Sequence, residues 1–164
     1  MKNIYVDQKL YEAFPNVVDY VSHPACQPLF DYIVKNKFKV KIKLAKDGDS
    51  LGCINFSKKQ IEINFYCYSK GRDGLRQRNQ FIVFEDFLAT LAHETKHLEH
   101  RKTKKFKSYY DLRKYPIFIV GLNAEADCNR WSAWYVRNYS GNNRYVHWKQ
   151  YNNYIGKRKD VRGY

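Results

Sequence analysis

Leu91-Ala92-His93-Glu94-Thr95-Lys96-His97 is the stretch on which the reading of this chain turns. It lies in a segment that reads as a helix from about Gln80 to Arg101, with Phe84, Leu88, Leu91 and Leu98 as the apolar stripe. On such a helix His93 and His97, four residues apart, project from one face a turn apart, so their ring nitrogens can converge on one metal ion. Glu94, beside the first histidine, can reach the open position at such an ion, where a reacting water would sit. Asp86, Thr90, His93, His97 and His100 form a polar stripe beside the apolar one. This predicts histidines at a groove edge rather than in the centre of the core.

A hydrolytic site of this kind needs a third protein ligand and an empty position. A second long helix, including Asn123 to about Tyr139 with Ala124, Cys128, Trp131 and Tyr135 on one face, can fold back antiparallel to the first. Glu125, Asn129 and Ser132 share a face beside that stripe, which makes Glu125 the leading ligand and Asp127 the alternative. His100 is a lesser option, because one more turn along the same helix strains a tetrahedral arrangement; an exposed or supporting role suits it better. A ligating histidine usually donates its other N–H to a carboxylate or carbonyl, and Asp127 or Asn129 could accept it.

Upstream the period is different. Residues 7 to 36 read as helical pieces broken at Pro15 and restarted after Pro24. Lys37-Phe38-Lys39-Val40-Lys41-Ile42-Lys43-Leu44 then alternates strictly, as a half-buried strand does. Asp47-Gly48-Asp49 reads as a turn, Cys53 to Phe56 as a second strand, Ser57-Lys58-Lys59 as another turn, and Ile61, Ile63, Phe65 and Cys67 as the inward face of a third. The expectation is an α+β domain whose small antiparallel meander of about three strands packs against the two long helices. A basic connector runs from Ser69 to Asn79, a basic loop from Arg101 to Lys107, and a final aromatic and basic segment, Arg144 to Lys159, reads as a third helix.

With 164 residues the chain fits one domain, 1–164, and at 44% hydrophobic and 17% aromatic it can bury a sizeable core. Thirty Lys and Arg against sixteen acids give a charge of +14, which favours polyanions and acidic proteins as partners. The lysine row of Lys37 to Lys43 suits either a guarded edge strand or a phosphate-binding face, so a nucleic-acid-associated module is a second functional reading. Four dispersed cysteines read as reduced, mostly buried thiols. No apolar run approaches the roughly 18 residues of a membrane span, and Met1 to Asp7 has no signal-like character, so a cytoplasmic protein with no membrane association is expected.

The His93-Glu94-x-x-His97 motif with a downstream glutamate resembles the gluzincin type of zincin metallopeptidase, over roughly Phe84 to Tyr135. Glu125-Ala126-Asp127 is similar to the Glu-Ala-Asp or Glu-Ala-Asn that opens the second helix in integral-membrane and repressor-cleaving members. The chain differs in having Asn129 where many gluzincins have aspartate, and Asn123 where the membrane type has its ligand. The resemblance implies a zincin-like fold and a small bacterial or phage zinc endopeptidase. Zn2+ would be held by His93, His97 and Glu125, with Glu94 as general base and a protein or peptide as substrate. It also implies a substrate lying along an edge strand, for which Ile61 to Cys67 is the candidate, and an oxyanion donor among Tyr135, Tyr145 and His147. A zincin-like scaffold without activity is the remaining alternative.

Overall fold

The computed structural model describes residues 3–46, 50–65, 67–68, 80–110 and 117–146. The chain opens with a short strand, β1 (Ile4–Val6), and three helices, α1 (Gln8–Ala13), α2 (Val17–Ser22) and α3 (Gln27–Lys35), with a 3-10 turn at Pro24–Cys26 before the last. Local chemistry sets these limits. The Asp7 carboxylate caps α1 by accepting from the Lys9 N–H at 2.9 Å. Pro15 follows the last residue that can return a hydrogen bond, Phe14 to Leu10 O at 2.8 Å. Lys37, at φ 64°, ends α3 in the left-handed region, and the Phe38 N–H closes back on Ile33 O at 3.1 Å.

Four strands form one mixed sheet. β2 (Lys39–Leu44), β3 (Gly52–Asn55) and β4 (Gln60–Phe65) join β1 in the order β1-β2-β4-β3. β1 runs parallel to β2 and β2 parallel to β4, with Val40 opposite Ile61 and Ile42 opposite Ile63; only β3 is antiparallel, with Cys53 opposite Glu62. This corrects the expected meander. The hairpin of β3 and β4 is as anticipated, its turn held by Asn55 Oδ1, which accepts from the Lys58 N–H and the Ser57 hydroxyl. β2, however, skips its sequence neighbour. Alternation specifies which face of a strand is buried; it carries no information on partner or direction. β1, three residues long, is too short to show a period. The anticipated third strand also stops at Phe65; Cys67 belongs to a separate two-residue ladder, Cys67–Tyr68 (β5) with Gln80–Phe81 (β6).

Two consequences follow. β2 is an inner strand, so its exposed Lys39 and Lys41 cover a solvent face rather than guard an edge, and Lys43 pairs with Glu62 at 3.0 Å. β4 is also internal, which removes Ile61 to Cys67 as a substrate-pairing edge; among the described strands β1 and β3 lie outermost.

The opposite face of the sheet, with Val40, Ile42, Ile61, Ile63 and Phe65 fully buried, is covered by helices. α4 (Phe84–Thr103) lies across it, contacting β3, β4 and α3, and α6 (Ile117–Tyr139) packs along α4. A short α5 (Lys107–Tyr110) intervenes, so the basic stretch from Arg101 is partly helical rather than a loop. α4 begins at Phe84, since Gln80 is in β6, and α6 begins six residues before Asn123. Leu88, Leu91 and Leu98 are buried as the apolar stripe requires, each contributing about 1.5–3 kcal/mol. Residues 144–146 are not helical; the rest of the anticipated last helix, the 47–49 turn and the 69–79 connector lie outside the described residues. No helix among the described residues is long and apolar enough to cross a membrane.

Candidate metal centre

α4 carries the histidines because its two ends suit the helix dipole. Glu85 and Asp86 occupy its first turn and His100, Arg101 and Lys102 its last, before Lys104 closes it in the left-handed region at φ 58°. Between them the helix is enclosed by the sheet on one side and α6 on the other. The polar stripe is therefore not at a groove edge. His93, His97 and His100 are 5%, 4% and 0% exposed, and Glu94 is buried as well. The sequence located the polar face and anticipated a second helix folding back on the first, but not that this helix would cover the stripe.

The ring nitrogens do converge. His93 Nε2 and His97 Nε2 stand 3.0 Å apart. The Glu125 carboxylate reaches over from α6, Oε2 lying 3.2 Å from His93 Nε2 and Oε1 3.1 Å from His97 Nε2. Donors about 2.0–2.1 Å from one tetrahedral centre stand roughly 3.3 Å from each other, so these separations fit a shared cation. Burial alone would raise the Glu125 carboxyl, but hydrogen bonds from His93 and His97, and their charge, hold it well below the usual carboxylate range. The Glu125 side chain is 36% exposed, which leaves solvent access from the α6 side.

A sulfur lies close by. His93, His97 and Cys128 form a buried group able to hold a metal ion, their donor atoms all within 4.8 Å of one another. Cys128 Sγ is 3.5 Å from His97 Nδ1, the ring nitrogen opposite the one facing Glu125. Burial, followed by the nearby Glu125, Glu94 and Asp127 carboxylates, pushes its thiol far up, so it stays protonated when no cation is bound.

Glu94 faces the edge strand. Gly52 of β3 lies directly under it, since a Cβ at that glycine would stand 2.8 Å from Glu94 Oε1 and 2.6 Å from Thr90 Cγ2. Only a residue without a side chain admits the carboxylate at that depth.

The other candidates are placed differently. Asp127 Oδ2 accepts from His100 Nε2 at 2.6 Å and from Lys105 Nζ at 3.1 Å, and Asn129 Oδ1 is buried with no hydrogen-bond partner among the described residues. The second ring nitrogen of His97, which Cys128 also approaches, is hydrogen-bonded to Tyr110, whose hydroxyl lies 2.7 Å from His97 Nδ1 and 2.9 Å from His100 Nδ1. Burial lowers the His100 pKa, a shift that Asp127 partly offsets. Tyr135 and Tyr145, read as oxyanion donors, are committed elsewhere: Tyr135 donates to Ala25 O at 2.9 Å and Tyr145 to Asp86 Oδ1 at 2.8 Å. His147 lies outside the described residues. Tyr110 escaped sequence reading, whereas Cys128, read as a buried thiol on the apolar face of the second helix, is one, and only its closeness to the histidines was missed. The one available signal was the i,i+3 pair of His97 and His100, which shares a helix face.

Beside this network a cavity of about 230 Å³ opens between His100, Tyr110 and the cationic side chains of Arg101, Lys104, Lys105 and Lys107. No family model, curated protein or solved structure matches the chain.

Proposed function

We propose that this protein is a small zinc-dependent endopeptidase with a zincin-like arrangement, acting on a protein or peptide in the cytoplasm. The observation that carries the reading is the meeting of His93 Nε2, His97 Nε2 and the Glu125 carboxylate within 3.0–3.2 Å, with Glu94, next in the chain to His93, buried as well. Two imidazoles and one carboxylate are the donor set of hydrolytic zinc sites, which keep a fourth position open. Glu125 is the third ligand in this reading because it meets the same nitrogens of both rings, whereas Cys128 contacts the far side of His97.

When bound there, the cation would supply Lewis acidity, polarising a carbonyl and making water a better nucleophile near neutral pH. The protein does the rest. Glu94 takes the proton from the attacking water on a carboxylate oxygen and passes it to the departing amine nitrogen. Gly52 admits that carboxylate to its position and keeps side-chain bulk off the strand beneath it. β3, the edge strand next to β4 among the described strands, is suited to pair with an extended substrate along its outer side. The buried walls around His93 and His97 exclude bulk water from the reacting groups.

The purified protein is expected to contain one zinc per chain. Glu94→Gln should retain the zinc and lose hydrolysis of a peptide library. A Glu94→Gln protein as active as the parent would end the assignment, and zinc uptake without any turnover by the parent would favour an inactive scaffold.

The basic cavity supports a second reading, a nucleic-acid-associated module, because four cationic side chains gather on one side of the molecule. Its binding should weaken steeply with salt in a fluorescence titration. A salt-insensitive titration would remove it.

A further inference from the structure

Tyr110, His100 and Asp127 form a line of hydrogen bonds behind His97, flanked by Cys128, whose Sγ lies 3.5 Å from His97 Nδ1 and 3.8 Å from His100 Nδ1. The distances are 2.7 Å from His97 Nδ1 to the Tyr110 hydroxyl, 2.9 Å from that hydroxyl to His100 Nδ1, and 2.6 Å from His100 Nε2 to Asp127 Oδ2. Lys105 Nζ closes the line on the same Asp127 oxygen at 3.1 Å. His97, His100 and Asp127 are each less than 5% exposed, so little water competes for these groups.

Proton counting gives the line a direction. A neutral imidazole has one N–H donor and one bare acceptor nitrogen, and a tyrosine hydroxyl donates once. If His97 offers a bare Nε2 to a cation, its proton is on Nδ1 and is donated to the Tyr110 oxygen. With its oxygen accepting from His97, the Tyr110 hydroxyl is placed to donate to His100 Nδ1, and His100 then carries its own proton on Nε2 and donates it to the Asp127 carboxylate. In the reverse direction Tyr110 would donate to His97 Nδ1. That would force the His97 proton onto Nε2, where a ligand must be bare. Only one direction serves the metal centre.

We propose that Tyr110 is a positioning residue which, through His100, connects the Asp127 carboxylate to His97, fixing the tautomer and ring orientation that His97 needs to bind a metal. In a shorter design the carboxylate would accept directly from the ligating ring; here a phenol and a second imidazole stand between them. This rests on the metal-binding reading of His93 and His97 above. It explains why His100 is fully buried on the same helix and why Asp127 lies among partners other than the two converging nitrogens.

The test compares the parent with Tyr110→Phe, which keeps the ring and removes the hydroxyl, by chelator competition with Zn2+ and by long-range proton–nitrogen NMR of the imidazoles in the zinc-loaded protein. The parent should show His97 protonated on Nδ1, His100 on Nε2, and a slowly exchanging Tyr110 hydroxyl proton. Tyr110→Phe should bind zinc about 10- to 100-fold more weakly, as losses of such supporting partners do, and its His97 Nδ1 proton should exchange faster. His100 protonated on Nδ1 in the parent, or zinc affinity unchanged in Tyr110→Phe, would overturn the proposal while leaving the metal centre intact. A parent that takes up no zinc defeats the metal reading itself. Should Tyr110→Phe fail to fold, Asp127→Asn tests the far end of the line: weaker zinc binding is expected, and unchanged affinity counts against the connection.

Discussion

Adding one methyl group at Gly52 should separate zinc binding from hydrolysis. In Gly52→Ala the new Cβ would stand 2.6 Å from Thr90 Cγ2, 2.8 Å from Glu94 Oε1 and 3.0 Å from Glu94 Cγ. Carbon atoms rest at about 3.5–4.0 Å, so the Thr90 contact must open by roughly 1 Å and the carboxylate must retreat by about half that. Thr90 is buried and bonded through its hydroxyl to Asp86 O at 2.7 Å, so it yields less readily than the end of Glu94. Overpacking of this kind costs about 1–3 kcal/mol, reduced by the roughly 0.5–1 kcal/mol that alanine gains over glycine within a strand. The net loss of stability should be about 0–2.5 kcal/mol. A carboxylate displaced by about half an ångström should lower kcat by roughly 10-fold, since about 1 Å costs about 100-fold. Zinc content should not change, because Gly52 approaches Glu94 and none of His93, His97 or Glu125 among its nearest atoms. The assays are urea unfolding, metal analysis and peptide hydrolysis on the same preparation. Adding Thr90→Ser removes the 2.6 Å contact, so it should restore stability but not turnover. Gly52→Ala with full turnover would refute the placement of Glu94 as the base.

Three further outcomes are expected. Burial first, then Tyr139 and Cys26, push the Tyr135 hydroxyl up to about 12 from its ordinary 10.0; the folded protein therefore keeps that proton when the unfolded chain has released it, so this contribution to stability is complete below pH 10 and is lost as the pH rises from there through 12. Thermal melts against pH should show the decline, and Tyr135→Phe should flatten it while costing about 1–3 kcal/mol at neutral pH by stranding Ala25 O. Leu91→Ala, at a fully buried position between α4 and the sheet, should cost about 2–5 kcal/mol in denaturant unfolding; a change below 1 kcal/mol would contradict the packing of that face. Stripping zinc with a chelator should lower stability by about 2.7 kcal/mol relative to protein held at a free zinc concentration one hundred times its dissociation constant, and an unchanged melting temperature would argue against a bound ion.

The alternation of Val40 and Ile42 with lysines marked a half-buried strand, and the stripe of Leu88, Leu91 and Leu98 marked the inner face of α4; both faces are as read. A two-residue or four-residue period is a property of one element, and it survives whatever that element packs against. The same period is silent about neighbours. β2 could have paired with β3 as well as β4 on its pattern alone, and the folded chain sets it against β4, with Val40 opposite Ile61 and Ile42 opposite Ile63.

The site divides in the same way. Spacing by itself determined that His93 and His97 share a helix face with Glu94 beside them, because helical geometry fixes residues four apart. Tertiary structure alone decided that Glu125 rather than Asp127 meets the two Nε2 atoms, and that Tyr110 stands behind His97. It also set Gly52 under Glu94 and enclosed the histidines beneath α6. Those contacts join segments far apart in the chain, and their geometry depends on how α4, α5, α6 and β3 pack, which no local pattern encodes.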